Sequence, residues 1–341
     1  MKMNNSKNRS KTNNKRNQGN IFNIPQSSRK SREINNFTKE KLISKAFHFH
    51  SQGNIPEASK YYQLFVDNGF NDPRVFSNYG LICQQTGNNE LAIKLYRKSI
   101  KLFPNNPNAY SNLANSLKDI GELSEAEKLL HKAIKLNPTF SNAYCNLGIL
   151  LQEMGKLKEA EEFTLKAIKY NAKSAIAYSN LGSILCDLGK LKEAEIASKK
   201  AIELQPDFAN AHCNLGKILQ QLGQLESSEI LLRKAIQINP NLASAYLNLG
   251  LTLREQSRYK EAKVVAIKAT QLQPNLAESN CSLGVILTDL GDLKQAEIYI
   301  RKAIQIKPNL KELKEYHLNS FKRFSAPLAN RLVSLFTATN V

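Results

Sequence analysis

Self-similarity at a fixed period of 34 residues constrains this chain more than any other feature of it. Gly80, Gly148, Gly182, Gly216, Gly250 and Gly284 fall on one grid, with Ala114 in the remaining slot. Twenty-four residues after each stands Pro104, Pro138, Pro206, Pro240, Pro274 or Pro308, and Ala172 is the exception. Ala92, Ala126, Ala160, Ala194, Ala262 and Ala296 keep the same register, with Ser228 in the seventh slot. Ala133, Ala167, Ala201, Ala235, Ala269 and Ala303 make a fourth column, preceded by Ser99. Four columns held in register through seven units describe a stack of one supersecondary unit, in which each copy buries its apolar face on the next.

Inside a unit the period is helical. In residues 141–174, Tyr144, Leu147, Leu150 and Leu151 recur at three- and four-residue steps and share one face. Met154-Gly155-Lys156 interrupts, as a helix-ending glycine does. Ala160, Phe163, Ala167 and Ile168 follow on a second face, and in most units a proline then forbids continuation. Each unit therefore reads as helix–turn–helix. The small Gly and Ala columns mark where two helices approach closely, and the Leu and Tyr columns fill the space between them.

This pattern resembles the tetratricopeptide repeat. The aromatic–Leu–Gly start of that family appears as Tyr144, Leu147 and Gly148, or Tyr178, Leu181 and Gly182. The resemblance implies an all-α, right-handed α-solenoid of about eight 34-residue helix–turn–helix repeats with a C-terminal capping helix. Seven units are expected at 73–106, 107–140, 141–174, 175–208, 209–242, 243–276 and 277–310. A degenerate unit at 39–72 keeps Ala46, Gly53, Ala58 and Tyr62 on the grid. Residues 311–341 carry Leu313, Phe321 and Phe324 after Leu310, then Pro327 and an apolar run from Leu328 to Phe336. They read as capping helices, or as the start of a domain that 31 residues are too few to complete. His212 and Asn280 replace the first aromatic of their units, and Thr164, Ser198 and Ala266 replace the large residue of the second helix. Looser packing is expected in those units.

Composition adds charge and compartment. Forty-eight Lys and Arg oppose 29 Asp and Glu, giving +19, and the mean hydropathy is −0.41. No apolar stretch approaches the ~20 residues that span a bilayer. Five cysteines are too few for a disulfide scaffold, so a reducing, cytoplasmic setting is expected. In residues 1–38, nine Lys and Arg oppose only Glu33, Asn and Ser abound, and Ile21, Phe22 and Ile24 are the only small apolar cluster. Such a segment cannot bury enough surface to offset its ordering entropy and reads as a disordered basic N-terminal arm. Its uses could be solubility, contact with nucleic acid or an acidic partner, or targeting.

A search for chemistry returns none. There is no Gly-rich phosphate loop, HExxH, GxSxG or CxxC. Cys145, Cys213 and Cys281 share one slot in alternate units, too far apart for a disulfide, and Cys83 takes a slot filled elsewhere by Leu. The five His are scattered, and no carboxylate pair stands out. No enzyme activity, cofactor, metal or small-molecule substrate is expected.

Two polar columns remain. Two residues before the Gly column stand Asn78, Asn112, Asn146, Asn180, Asn214 and Asn248, with Ser282 breaking the run. The family places this slot on the first helix, facing the concave groove. There the resemblance is to the asparagine ladder of the O-linked N-acetylglucosamine transferase superhelix. An Asn carboxamide offers a donor and an acceptor, which match the C=O and N–H of an extended peptide. Nearby, Arg74, Lys118, Lys217 and Arg254 balance Asp119, Glu153, Asp187, Glu255, Glu278 and Asp289, a mixed and nearly neutral wall. The clamp that grips a C-terminal carboxylate in some members lacks its cations, since Ile176 and Asn180 stand in their place. The second column is Lys98, Lys132, Lys166, Lys200, Lys234, Lys268 and Lys302, expected on the outer surface as a solvated face.

The expected function is a non-enzymatic protein–protein interaction scaffold that binds a protein or peptide segment in its concave groove. The first alternative is a substrate-recognition subunit, or relict, of a transferase whose catalytic domain is elsewhere. The second is an electrostatic nucleic-acid binder using the arm and the Lys column. Deleting residues 1–36 is expected to leave helical circular dichroism and the melting midpoint nearly unchanged. A large fall in the midpoint would show that the arm docks on the folded part.

Overall fold

A computed structural model describes residues 38–307, which form sixteen helices and no strand. Apart from Thr38, the arm lies outside the described residues, as does the capping segment expected at 311–341. The chain divides into two units, the first ending at Phe70 and the second beginning at Asn71.

The first unit holds a helix pair, α1 (Lys39–Ser51) and α2 (Ile55–Asp67). Thr38 and Asn54 cap their N-termini by accepting from the N–H of Lys41 and Glu57. Leu42, Ala46, Ala58, Tyr62 and Phe65 are fully buried between them. His50 reaches across, its Nδ1 lying 3.0 Å from the Tyr62 hydroxyl.

The second unit is a run of seven helix pairs. The first helices are α3 (Pro73–Gln85), α5 (Pro107–Asp119), α7 (Ser141–Glu153), α9 (Ala175–Asp187), α11 (Ala209–Gln221), α13 (Ala243–Glu255) and α15 (Ala277–Asp289). The second helices are α4 (Asn89–Leu102), α6 (Leu123–Leu136), α8 (Leu157–Tyr170), α10 (Leu191–Leu204), α12 (Leu225–Ile238), α14 (Tyr259–Leu272) and α16 (Leu293–Ile306). Every first helix ends the same way. In α7 the N–H of Lys156 donates to Leu151 O at 2.8 Å and that of Gly155 to Gln152 O at 3.0 Å, which closes the last turn through a left-handed residue. That residue is Gly87, Gly121, Gly155, Gly189, Gly223 or Gly291, except that Ser257 takes the sixth turn with φ +61°. Second helices end by handing the next backbone N–H to the Ala column, as when Asn171 donates to Ala167 O at 2.9 Å.

Each first helix packs on its own second helix and, from α5 onward, on the second helix before it. Successive first helices also touch one another directly, whereas successive second helices have no contact of that extent. First helices therefore crowd the inner, concave side and second helices fan out on the outer side. The Gly column makes the pairing possible. A methyl group on Gly216 would lie 2.6 Å from the buried Leu232, and one on Gly80 would lie 2.6 Å from the ring of Tyr96.

The expected looseness at Thr164 and Ser198 is not found. Both are fully buried, and a methyl group on Gly148 or Gly182 would collide with their hydroxyls. The helices have closed up on the smaller side chains. Only Ala266 leaves slack, because a methyl group on Gly250 would make ordinary contacts of 3.5 Å and beyond. Nor do His212 and Asn280 forfeit what the aromatic supplies. Tyr144 donates its hydroxyl to Pro138 O at 3.2 Å, His212 Nε2 sits 2.8 Å from Pro206 O, and Asn280 donates to Pro274 O at 3.0 Å. Three unlike side chains tie the helix start to the same carbonyl.

The two glycines separate clearance from propensity. Gly216→Ala is expected to destabilise by ~1–3 kcal/mol through overpacking on Leu232. Gly250→Ala should be neutral or stabilising by up to ~1 kcal/mol, since alanine favours the helix and finds room. Thermal melts of both variants check this, and equal losses would contradict the packing described.

Candidate functional site

The inner face is built from side chains of the first helices. Six links join one first helix to the next, each 35 residues apart: Gln84 to Asp119, Lys118 to Glu153, Gln152 to Asp187, Cys186 to Gln221, Gln220 to Glu255 and Arg254 to Asp289. The donor always belongs to the earlier helix. Of the charges expected to balance across the wall, Lys118 is tied to Asp119 and Glu153 and Arg254 to Asp289, while Gln84, Gln152 and Gln220 donate to Asp119, Asp187 and Glu255. Lys217 adds a 3.1 Å bond to Asp187; burial disfavours its charge, but the carboxylate outweighs that and holds its pKa above the usual lysine value. Two of the expected wall charges lie outside this set. Arg74 pairs with Asp72, the N-cap of its own helix, and Glu278 pairs with Lys307.

All six asparagines of the column are half-buried on this face. Three use the donor half of the carboxamide within the protein. Asn146 Nδ2 donates to Ser111 Oγ at 3.0 Å, Asn214 Nδ2 to Ser179 O and Oγ at 3.1 and 3.0 Å, and Asn248 Nδ2 to Cys213 Sγ at 3.4 Å. Each reaches back one repeat and leaves its Oδ1 without a partner among the described residues. The Nδ2 of Asn180 is buried and unbonded. Asn78 and Asn112 make no side-chain hydrogen bond among the described residues. The column is therefore partly a clasp between repeats, a role that a groove-facing slot alone does not reveal.

Beside Asn112 and Asn146 lies a cavity of about 270 Å³. Helix α5 lines it with Asn108, Ser111, Asn112 and Asn115; α7 adds Asn142, Cys145 and Asn146. Ile176 of α9 and the preceding residues Phe140 and Ser174 complete the wall. No charged side chain is among them. The carboxamides of Asn108, Asn112, Asn115 and Asn142 make no hydrogen bond among the described residues, so four amide donors and four acceptors converge unused on a small uncharged space. Asn108 and Asn142 were visible in the sequence as one slot repeated in consecutive units, but only the fold brings them beside the column.

Nucleophile and metal chemistry find no comparable setting. All five cysteines are buried and none forms a disulfide, and burial pushes the Cys83 and Cys145 thiols up to about 11, away from the reactive thiolate. Among the described residues no three His, Cys, Asp or Glu side chains gather as a metal site, and no helix is long and apolar enough to cross a membrane. The Lys column stands on the second helices with every member exposed or half-exposed.

Family models described as TPR repeat match residues 80–121 and 182–223. Models described as tetratricopeptide repeat match 107–140, 129–162, 209–242, 231–264 and 277–310. Comparison with curated proteins yields no match. Among solved structures, the APC/C hetero-tetramer Cut9–Hcn1 is similar with a TM-score of 0.66 at 15% identity over 85% of this chain, which spans 57% of that one. A tetratricopeptide repeat protein from Parabacteroides merdae is similar with a TM-score of 0.60 at 19% identity, covering 73% of this chain and 98% of that one. At these identities the likeness is one of fold.

The two kinds of asparagine should separate in stability. Asn214→Ala removes two inter-repeat hydrogen bonds and is expected to cost ~1–2 kcal/mol. Asn112→Ala removes none and should lie within ~0.5 kcal/mol of the parent. Urea denaturation midpoints measure both, and a costly Asn112→Ala would show a bond that the geometry lacks.

Proposed function

The chain belongs to the tetratricopeptide-repeat family, and from that premise we propose that the inner face of its array binds an extended, uncharged stretch of a partner protein. Arrays of this family are protein–protein interaction scaffolds. The observation that carries the finer reading is the cavity where Asn108, Asn112, Asn115 and Asn142 present unpaired carboxamides. A peptide backbone offers one donor and one acceptor per residue, and each would find its complement there. The free Oδ1 atoms of Asn146, Asn214 and Asn248 extend the same acceptor chemistry along the groove. Because the wall charges are already engaged by side chains of neighbouring repeats, they contribute little to choosing a ligand, and Phe140 and Ile176 offer it apolar contact. The preferred segment is then neutral, with small or apolar side chains near the cavity.

Selection of peptides from a displayed random library on the purified chain supplies a ligand for titration. A triple change of Asn108, Asn112 and Asn142 to Ala is expected to weaken a selected peptide by ~2–4 kcal/mol, with helical circular dichroism preserved. Replacing Lys166, Lys200 and Lys234 by Gln should change only salt dependence, if anything. Unchanged binding in the Asn variant together with loss in the Lys variant would refute the groove and favour the outer, nucleic-acid-like surface.

A further inference from the structure

The outer face of the last four helix pairs carries a row that a solvated helix surface does not explain. Ile196, Ile230, Val264 and Ile298 occupy one slot on α10, α12, α14 and α16, and they are 69%, 68%, 68% and 56% exposed. In the three preceding pairs that slot holds Lys94, Lys128 and Glu162. The outer face thus changes from charged to aliphatic halfway along the array, and it stays aliphatic in four consecutive units. Single exposed apolar residues are ordinary, but an in-register row of them marks a contact surface.

One helical turn further on, and so on the same face, stand Lys200, Lys234, Lys268 and Lys302. Lys200 pairs with Glu203. Lys234, Lys268 and Lys302 have no ion pair among the described residues. The cations one residue before that row, Lys199, Arg233 and Arg301, are by contrast engaged by Glu195, Glu229 and Glu297 of their own helices. The surface is therefore two parallel rows, one aliphatic and one of ammonium groups, of which Lys234, Lys268 and Lys302 have no ion pair among the described residues.

We propose that this face is a second docking surface, separate from the inner groove, for an acidic amphipathic segment of a protein partner. Charge complementarity selects the occupant: carboxylates beside the segment's apolar side chains would meet Lys234, Lys268 and Lys302 while the apolar side chains cover the aliphatic row. A second copy of this chain fits poorly, because the row on the other flank is Lys192, Glu226, Lys260 and Lys294, so cations would face mainly cations. A nucleic acid would use the ammonium row but leave the aliphatic one uncovered. A membrane seat is expected to place aromatic side chains at the interface, and this row has none.

The test uses the full chain and a synthetic helical peptide of about 20 residues with Leu along one face and Glu on its flanks. Its counterpart with Lys in place of Glu, and vesicles containing phosphatidylserine, run in parallel. Saturable binding of the Glu peptide is expected. It should fall about tenfold or more in an Ile230→Lys, Val264→Lys variant and in a Lys234→Glu, Lys268→Glu variant, and the latter should gain affinity for the Lys peptide. The exposed positions leave the helical signal and melting midpoint as controls of folding. The triple Asn variant of the groove should bind the Glu peptide normally, which separates failure here from failure there. Absence of saturable binding, or binding that the substitutions do not weaken, overturns the proposal. So does attachment to vesicles, or self-association, that the same substitutions abolish.

Discussion

Everything in this protein hangs on how closely the two helices of a pair can approach. At Gly80, Gly148, Gly182, Gly216 and Gly284 there is no room for a methyl group, because the facing side chain or backbone occupies that space. Close approach fixes the angle within a pair, and the angle repeats. Seven copies of one local geometry then generate a long inner face and a splayed outer one, and the helices in appreciable contact all lie within one repeat or in neighbouring ones. The short-range character of the packing explains why the core is a chain of small clusters and not a single centre.

On that frame the polar side chains divide labour by position. Near the end of each first helix a donor reaches forward to the next repeat, in six consecutive links. Nearer its middle, the asparagine column reaches back. At the N-caps of three second helices, Lys156, Lys190 and Arg258 reach back to Glu127, Glu161 and Glu229. Exposed ion pairs of this kind are individually worth little. Their effect is on register, since a slipped repeat would face donor with donor.

The helix pairs, their turns and the Gly, Ala and Asn columns were legible because the sequence repeats residue identity at those slots. The forward links were not, because their donors run Gln, Lys, Gln, Cys, Gln and Arg, and each partner is displaced by one residue from the grid. The clasp role of Asn146 and Asn214 was hidden for a related reason: their acceptors are serines in a slot that other units fill with cysteine. Substitutions such as Tyr to His at 212 looked like losses until the structure showed that the hydrogen bond to the proline carbonyl survives the change. The outer aliphatic row eluded column reading because it begins only at the fourth regular unit, in a slot that the first three fill with Lys94, Lys128 and Glu162. The cavity could not be read at all, since convergence of slots from three helices is a property of the superhelix and not of any unit.

The single-sided arrangement of the forward links has a mechanical consequence. Each joins neighbouring repeats at one place near the inner edge, while successive second helices outside are bridged by flexible charged side chains such as Arg97 with Glu125 and Arg233 with Glu261. Small changes of tilt between neighbours can be accommodated by rotating those side chains, with the apolar contacts kept. Such tilts would add along the axis, which would make the array a spring. A segment lying in the groove would tighten or relax that spring as a whole, and the spacing of whatever is attached to its two ends would follow.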